Sequence, residues 1–92
     1  MTNDFFKTVF FMVCSPDDHM TPALTKAQGK EEYCVTISPI ESKVTFNNWA
    51  TKKITGQELI SSIPDNIAIL ISYEDGGSYL SPQKIKDLKS NI

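Results

Sequence analysis

The chain has 92 residues, of which 40% are hydrophobic and 22% are charged. This length fits one domain of ordinary size, and the balance of residues excludes the disordered class of proteins. Nine lysines stand against eleven acidic residues, and there is no arginine. Because arginine is the preferred contact to phosphates and to guanine edges, we expect no nucleic-acid partner.

The first residues predict neither a signal peptide nor a membrane span. Met1 to Asp4 lacks the basic residues that open a signal peptide, and Asp4 has the opposite charge. The apolar run that follows is interrupted by Lys7 and is much shorter than the roughly 20 residues that cross a bilayer. We therefore expect a cytoplasmic location without membrane association.

Phe5 to Cys14 predicts the first strand, buried on both faces. The segment is rich in Phe and Val, and the turn-forming run Ser15-Pro16-Asp17-Asp18 follows it directly. Two prolines and two aspartates lie within the eight residues from Ser15 to Pro22. That stretch is therefore predicted to be a loop.

Gln28-Gly29-Lys30 predicts a tight turn between two strands. The arm from Glu31 to Ser38 contains the β-branched and aromatic run Tyr33 to Ile37, and the arm from Ala23 to Ala27 carries a weaker strand pattern. A short polar turn with glycine between two such segments is typical of a β-hairpin.

Ser38-Pro39-Ile40-Glu41 has the pattern of a helix start. Serine can cap, proline is pre-set for the first helical position, and glutamate at the third can reach back. We expect a short helix from here to about Ala50. Val44-Thr45-Phe46 favours a strand instead, so residues 39–50 remain open between the two states.

Thr55-Gly56-Gln57-Glu58 has the spacing of a capping box, which predicts the start of a second helix. Pro64-Asp65-Asn66 ends that helix. The near-continuous apolar run from Ile67 to Tyr73 predicts a central strand covered on both faces.

The remaining residues predict a turn and a last helix. Glu74 to Gly77 predicts the turn, and Ser78 to Leu80 leaves room for a short extra strand. Ser81-Pro82 repeats the pattern of a cap followed by proline, and the residues after it have an amphipathic pattern.

The predicted order is three strands, two helices, a strand and a helix. It predicts an α+β (mixed α/β) fold that forms a single domain over residues 1–92. The expected architecture is a mixed sheet of about four to five strands packed with two to three short helices.

Several short segments also carry a family resemblance between about residues 8 and 90. They are Ile37-Ser38-Pro39-Ile40-Glu41, Trp49-Ala50, Gly56-Gln57-Glu58-Leu59-Ile60, Ile67 to Ser72, and Tyr79-Leu80-Ser81-Pro82. In this order they resemble the N-terminal domain of the SseB family of small bacterial proteins. The chain differs at Tyr73 to Gly77, where the family has an Asn-Pro-Gly turn. The resemblance implies the fold given above and an accessory protein without established catalytic residues.

Two groups of residues are candidates for chemistry. Cys14 and Cys34 lie in apolar runs and are expected to be buried free thiols, with a disulfide as the alternative. A nucleophilic pair of Cys14 with His19 would need an oxyanion hole and an orienting group, which the sequence does not supply. Asp17 and Asp18 beside them do not have the spacing of a zinc or calcium site, so no metal is expected.

Trp49 is the only tryptophan and lies close to Phe46. It belongs either to the core or to a binding surface, since tryptophan is enriched at the energetic centres of protein interfaces.

These observations predict a non-catalytic accessory protein that binds another protein, with a homodimer as a further option and no cofactor. The candidate binding residues are Trp49, Phe46, His19, Asp17 and Asp18. The alternative is a small-molecule-binding protein or small enzyme that uses the loop 15–22 with Cys14 and His19.

Overall fold

A computed structural model describes residues 2–17 and 21–90 of the chain. Within these residues a mixed sheet of six strands carries three short α-helices, and a 3₁₀ turn covers Glu41–Lys43. The elements are α1 (Thr2–Lys7), β1 (Val9–Cys14), β2 (Leu24–Lys26), β3 (Tyr33–Ser38), β4 (Ala50–Thr55), α2 (Gly56–Ser62), β5 (Ala68–Tyr73), β6 (Gly76–Leu80) and α3 (Pro82–Lys89). This architecture confirms the predicted α+β fold.

The strands lie in the order β4-β1-β3-β5-β6, and β2 pairs with β3 outside this path. The central pair of β3 and β5 is parallel, and the other described strand pairs are antiparallel. Along one of its edges, β3 pairs with two strands in succession. Tyr33 to Val35 pair with β2, whereas Ile37 and Ser38 pair with β1.

The main core lies between the sheet and the helices. Alternate side chains of the central strands point to this face, and side chains from all three helices meet them. Each such aliphatic side chain contributes about 1.5–3 kcal/mol through its burial. The cluster includes Phe6 of α1, Met12 of β1, Val35 and Ile37 of β3, Leu59 and Ile60 of α2, Ile69 and Ile71 of β5, and Ile85 of α3.

Two of the three predicted N-caps are present, those at Thr55 and Ser81. The backbone N–H of Glu58 donates to Thr55 Oγ1 at 3.1 Å, and the backbone N–H of Thr55 donates to Glu58 Oε1 at 3.0 Å. The bond from that backbone N–H is the main reason that the pKa of the Glu58 carboxyl lies below its usual range. Similarly, the N–H of Lys84 donates to Ser81 Oγ at 3.2 Å, and Pro82 opens α3.

The predicted hairpin, central strand and extra strand are also present. The central strand β5 is not fully covered on both faces, because Leu70 is only partly buried. Gly29 has a φ of 80° in the turn between β2 and β3, a conformation that glycine adopts without a steric penalty. β6 is longer than predicted, because Gly76 and Gly77 pair with β5 and so belong to the strand rather than to the turn.

The prediction of a strand from Phe5 to Cys14 was wrong over its first residues, where α1 extends to Lys7. A helix of six residues has little stability of its own, so tertiary contacts decide its formation. The rings of Phe5 and Phe10 lie 5.3 Å apart, and Phe6 is buried in the main core. Val9 is half exposed, so β1 is not buried on both faces along its whole length.

The prediction of a helix from Ser38 to about Ala50 was also wrong. Ser38 does not cap a helix, because its hydroxyl donates to the carbonyl oxygen of Ser72 and accepts from the N–H of Ile40. Only the 3₁₀ turn Glu41–Lys43 forms, and Ala50 begins the strand β4. The strand alternative is wrong as well, because residues 44–49 lie outside every strand. The β-branched Val44 and Thr45 and the long-range bond to Ser72 disfavour the helix.

Gly56 allows α1 to approach the start of α2. A Cβ atom at this position would overlap the carbonyl oxygen of Phe5, and the N–H of Gly56 donates to the carbonyl oxygen of Thr8 at 3.1 Å. The residue is buried. The backbone of α1 must therefore move if position 56 gains a side chain.

We expect Gly56→Ala to lower the free energy of unfolding by about 1–3 kcal/mol, the usual effect of overpacking a closely packed site. The loss should appear although alanine is the better helix former. Urea denaturation followed by circular dichroism measures it. Gln57→Ala, one residue further along α2 and exposed, is the matched control and should be nearly neutral. Equal stability of the two variants would contradict the close approach.

Candidate functional site: the open face of the sheet

The face of the sheet opposite the helices has no helix on it among the described residues. Its central side chains are Val13 of β1, Thr36 of β3 and Leu70 of β5, which lie on neighbouring strands. We call this side of the sheet the open face. The residues next to them in each strand point into the main core, so the alternation of the strands separates the two faces.

The segment 39–49 crosses the open face and covers part of it. Val44 is fully buried there against Val13 and Ala23, and Phe11 packs against this second, smaller cluster. The ammonium of Lys53 lies 5.9 Å from the centre of the Phe11 ring, within the range of a cation–π contact. Val44 therefore anchors the segment and determines where the residues after it lie.

A tight turn follows this anchor and positions two aromatic side chains. The N–H of Trp49 donates to the carbonyl oxygen of Phe46 at 3.3 Å, which closes a four-residue turn. Asn48 at the third position has a φ of 70°, the conformation that type II turns require there. Asparagine tolerates it better than most residues. The turn therefore places the side chains of Phe46 and Trp49 at the same part of the open face.

Phe46 and Trp49 border a groove on the open face. Their exposed fractions are 50% and 49%, and the groove has a volume of about 440 Å³. Leu70 lies among the apolar residues that line it, and Thr36 and Ser72 supply hydroxyls. The residues that line the groove carry no charge. An uncharged centre of this kind accommodates an apolar or aromatic side chain of a partner.

A cluster of polar side chains lies beside the groove. Tyr79 of β6 is the register partner of Leu70, and its hydroxyl donates to the carboxylate of Glu32. The ammonium of Lys30 lies 4.7 Å from the centre of the Tyr79 ring. These contacts connect β6 to the residues between β2 and β3, across the intervening strand β5.

The electrostatics of this cluster follow from its geometry. Burial of the phenol and its hydrogen bond to Glu32 raise the pKa of Tyr79 to about 12. The same hydrogen bond is the main cause that lowers the pKa of the Glu32 carboxyl, with a smaller contribution from Lys30. Tyr79 is thus protonated and Glu32 ionised at neutral pH. The groove therefore has a charged border next to its uncharged centre.

The structure brings together two of the predicted binding residues, Phe46 and Trp49. Their exposure excludes the alternative that Trp49 is a core residue. Asp17 lies in the exposed loop after β1, where its N–H donates to Ser15 Oγ at 3.3 Å. The predictions for Asp18 and His19 concern residues outside the described part of the chain.

Both cysteines are buried thiols that form no disulfide, as expected from their apolar surroundings, so the disulfide alternative is wrong. The thiol of Cys14 donates to the carbonyl oxygen of Met12 at 3.4 Å, and the sulfur of Cys34 lies 3.7 Å from Thr25 Oγ1. Neither side chain has measurable exposure. A substrate would therefore not reach either sulfur in this conformation.

Sequence reasoning missed the turn at Asn48 and the contacts among Lys30, Glu32 and Tyr79. Asn47-Asn48 between two aromatic residues is a turn signal. The helix predicted from the pattern at Ser38 did not take this signal into account. The contact between Glu32 and Tyr79 joins residues far apart in the chain. No local pattern indicates such a contact.

Within residues 2–17 and 21–90, no three His, Cys, Asp or Glu side chains are grouped so that they can hold a metal ion. No helix in that part of the chain combines the length and apolar character needed to cross a bilayer.

Comparisons with known protein families, with curated proteins and with solved structures find no match to this chain. The resemblance to the SseB family therefore stays a prediction.

We expect Asn48→Val to destabilise the turn by about 1–2 kcal/mol, because a β-branched residue is strained at positive φ. Asn48→Gly is the matched control and should retain the turn. Trp49 is the only tryptophan, so its emission spectrum reports on the turn, while urea denaturation reports stability. A valine variant with wild-type stability and emission would show that the turn does not hold Trp49.

Proposed function

We propose that this chain is a non-catalytic accessory protein that binds another protein through its open face. The observation that carries the proposal is the pair of half-exposed aromatic residues, Phe46 and Trp49, on the border of an uncharged groove. Large aromatic side chains dominate the binding energy of interfaces when a partner covers them. The resemblance of the sequence to a family of accessory proteins supports the same role.

The surroundings of the groove fit the anatomy of a protein interface. Such interfaces have a largely apolar centre and a polar, solvated rim. Here the groove is the centre, and Lys53 on one side and the cluster of Lys30 and Glu32 on the other supply the rim. We infer that the partner inserts an apolar side chain between Phe46 and Trp49.

The turn that carries the two aromatic residues also favours binding. Its backbone is closed by the hydrogen bond between residues 46 and 49, and Val44 just before it is fully buried. Less conformational freedom is then lost when a partner binds, and this raises the affinity for a given contact area.

We expect Trp49→Ala and Phe46→Ala each to weaken partner binding while the domain stays folded. The loss for Trp49→Ala should be about 2 kcal/mol or more, roughly a thirtyfold rise in Kd. A tagged chain would first capture the partner from lysate of the native host. Calorimetry with the purified partner and far-ultraviolet circular dichroism would then measure affinity and folding.

Tyr33→Ala is the matched control for this experiment. Tyr33 is 50% exposed, like Phe46, but its strand position places it on the helix side of the sheet with Val35. It should leave the affinity unchanged. The proposal is wrong if no stoichiometric partner is captured, or if the partner binds the two open-face variants as tightly as the control.

A second candidate function is small-molecule binding on the helix side. A cavity of about 650 Å³ lies between α2 and the sheet, within the range of ligand pockets. Met12, Ile54 and Leu59 are among its apolar walls, and Lys52 and Glu58 also line it. Thr21 and Pro22 connect it to the loop 15–22, but the described lining does not include Cys14.

We expect the fluorescent apolar probe 8-anilinonaphthalene-1-sulfonate to bind this cavity in the folded protein. Ser62 of α2 lines the cavity, whereas the neighbouring exposed Ser61 does not. Ser62→Trp should therefore reduce probe fluorescence severalfold, and Ser61→Trp should leave it unchanged. Equal fluorescence of the two variants, or none with the wild type, would reject this candidate.

A further inference from the structure

The strands β4 and β6, which end the main strand order, differ in how they are protected. An exposed edge strand presents unpaired backbone groups to other chains, and proteins usually guard it with lysine, proline or a bulge. The edge strand β4 contains Lys52 and Lys53. The opposite edge, β6, contains neither a charged residue nor proline. It pairs residue for residue with β5 from Gly76 to Leu80, so that this side of it has no bulge.

The sequence of β6, Gly-Gly-Ser-Tyr-Leu, is complementary to itself in the antiparallel direction. When two copies pair about a two-fold axis through Ser78, Tyr79 of one lies opposite Gly77 of the other. Leu80 lies opposite Gly76 in the same way. Each large side chain thus meets a residue without one, and no bulky pair separates the strands.

We propose that the chain forms a homodimer in which β6 pairs antiparallel with β6 of a second copy, centred on Ser78. The two sheets then form one continuous sheet, and both unprotected edges are covered at once. The closed two-fold symmetry explains why pairing ends with two chains, because neither copy retains a free β6 edge. This inference does not rest on the function proposed for the open face.

The surroundings of β6 favour such a pairing. The hydrogen bond of Tyr79 to Glu32 holds the strand against its own sheet. α3 packs over β5 and β6, and Lys89 anchors it toward the end of α2 through bonds to Ile63 and Asp65. Leu80 of β6 and Leu88 of α3 are partly buried and pack against the main core, which holds the strand and the helix together.

The contact area of one strand pair is small. We therefore expect weak self-association, with a dimer dissociation constant on the order of 10–100 μM. Residues on a two-fold axis face their own copies, so Ser78 is the position at which a single substitution has the largest effect. Cross-strand neighbours lie with their Cβ atoms about 4.5–5.5 Å apart.

The first test is crosslinking of Ser78→Cys with the short reagent 1,2-bis(maleimido)ethane. We expect a covalent dimer at protein concentrations near the dissociation constant. Ser61→Cys, exposed on α2, is the control for random collision, and the wild type is the control for Cys14 and Cys34, which are buried. A yield for Ser78→Cys no higher than that for Ser61→Cys overturns the proposal.

The second test is sedimentation equilibrium of the wild type, Ser78→Lys and Ser78→Thr. Lysine places two like charges opposite each other on the axis and should raise the dissociation constant about fivefold or more, while threonine retains pairing. Circular dichroism confirms that each variant is folded. A wild type that stays monomeric to about 1 mM overturns the proposal, as does a Ser78→Lys variant that dimerises like the wild type.

The double variant Phe46→Ala with Trp49→Ala separates this proposal from the proposed function. It should dimerise like the wild type, because the open face takes no part in the pairing of β6. Loss of the dimer in this variant would assign self-association to the open face and overturn the pairing of β6.

Discussion

The hydroxyl of Ser38 is the contact on which the arrangement of the open face depends. Ser38 is the one fully buried polar residue within the described part of the chain, and it lies at the end of β3. Its hydroxyl donates to the carbonyl oxygen of Ser72 in the parallel neighbour β5 and accepts from the N–H of Ile40. A buried hydroxyl without partners would be costly. Satisfying both bonds ties the two central strands together and turns the chain out of β3 across the open face.

The uneven covering of the sheet follows from this turn. The helices cover one face of the sheet and bury its side chains in the main core. The other face is covered in part by the segment 39–49. A segment without regular structure buries less apolar surface than a helix, and so Phe46 and Trp49 stay half exposed. Burial of apolar surface is worth about 25 cal/mol for each Å². The exposed parts of the two rings contribute none of this free energy to folding. A partner that covers the two rings gains it on binding.

Elements defined by local chemistry could be predicted from the sequence, and elements defined by distant contacts could not. The capping box at Thr55, the cap at Ser81 and the glycine turn at Gly29 act within a few residues and are present as predicted. α1 is too short to be stable alone and depends on the contact of Phe5 with Gly56. β4 lacks the continuous apolar run of β5, because an edge strand can carry lysines.

The candidate site shows the same division. Phe46 and Trp49 are recognisable as candidates from residue type, because large aromatic side chains are enriched at the energetic centres of interfaces. Whether they lie in the core or on a surface depends on which face of the sheet the segment 39–49 crosses. The chain turns at Ser38, whose hydroxyl donates to the carbonyl oxygen of Ser72, 34 residues further along the chain. No pattern within the segment itself contains this information.

The two proposed surfaces belong to one sheet, and their positions have a joint consequence. Pairing through β6 about an axis perpendicular to the sheet keeps corresponding residues on the same side. The helices of both copies then lie on one side of the extended sheet, and both open faces lie on the other. The two grooves are separated by only a few strand spacings of about 4.8 Å each. A partner with two binding segments, or a dimeric partner, could occupy both grooves, and the second contact would form at a high effective concentration. Weak pairing of the chain and modest affinity of each groove would then reinforce each other, because binding that spans both grooves also holds the two copies together.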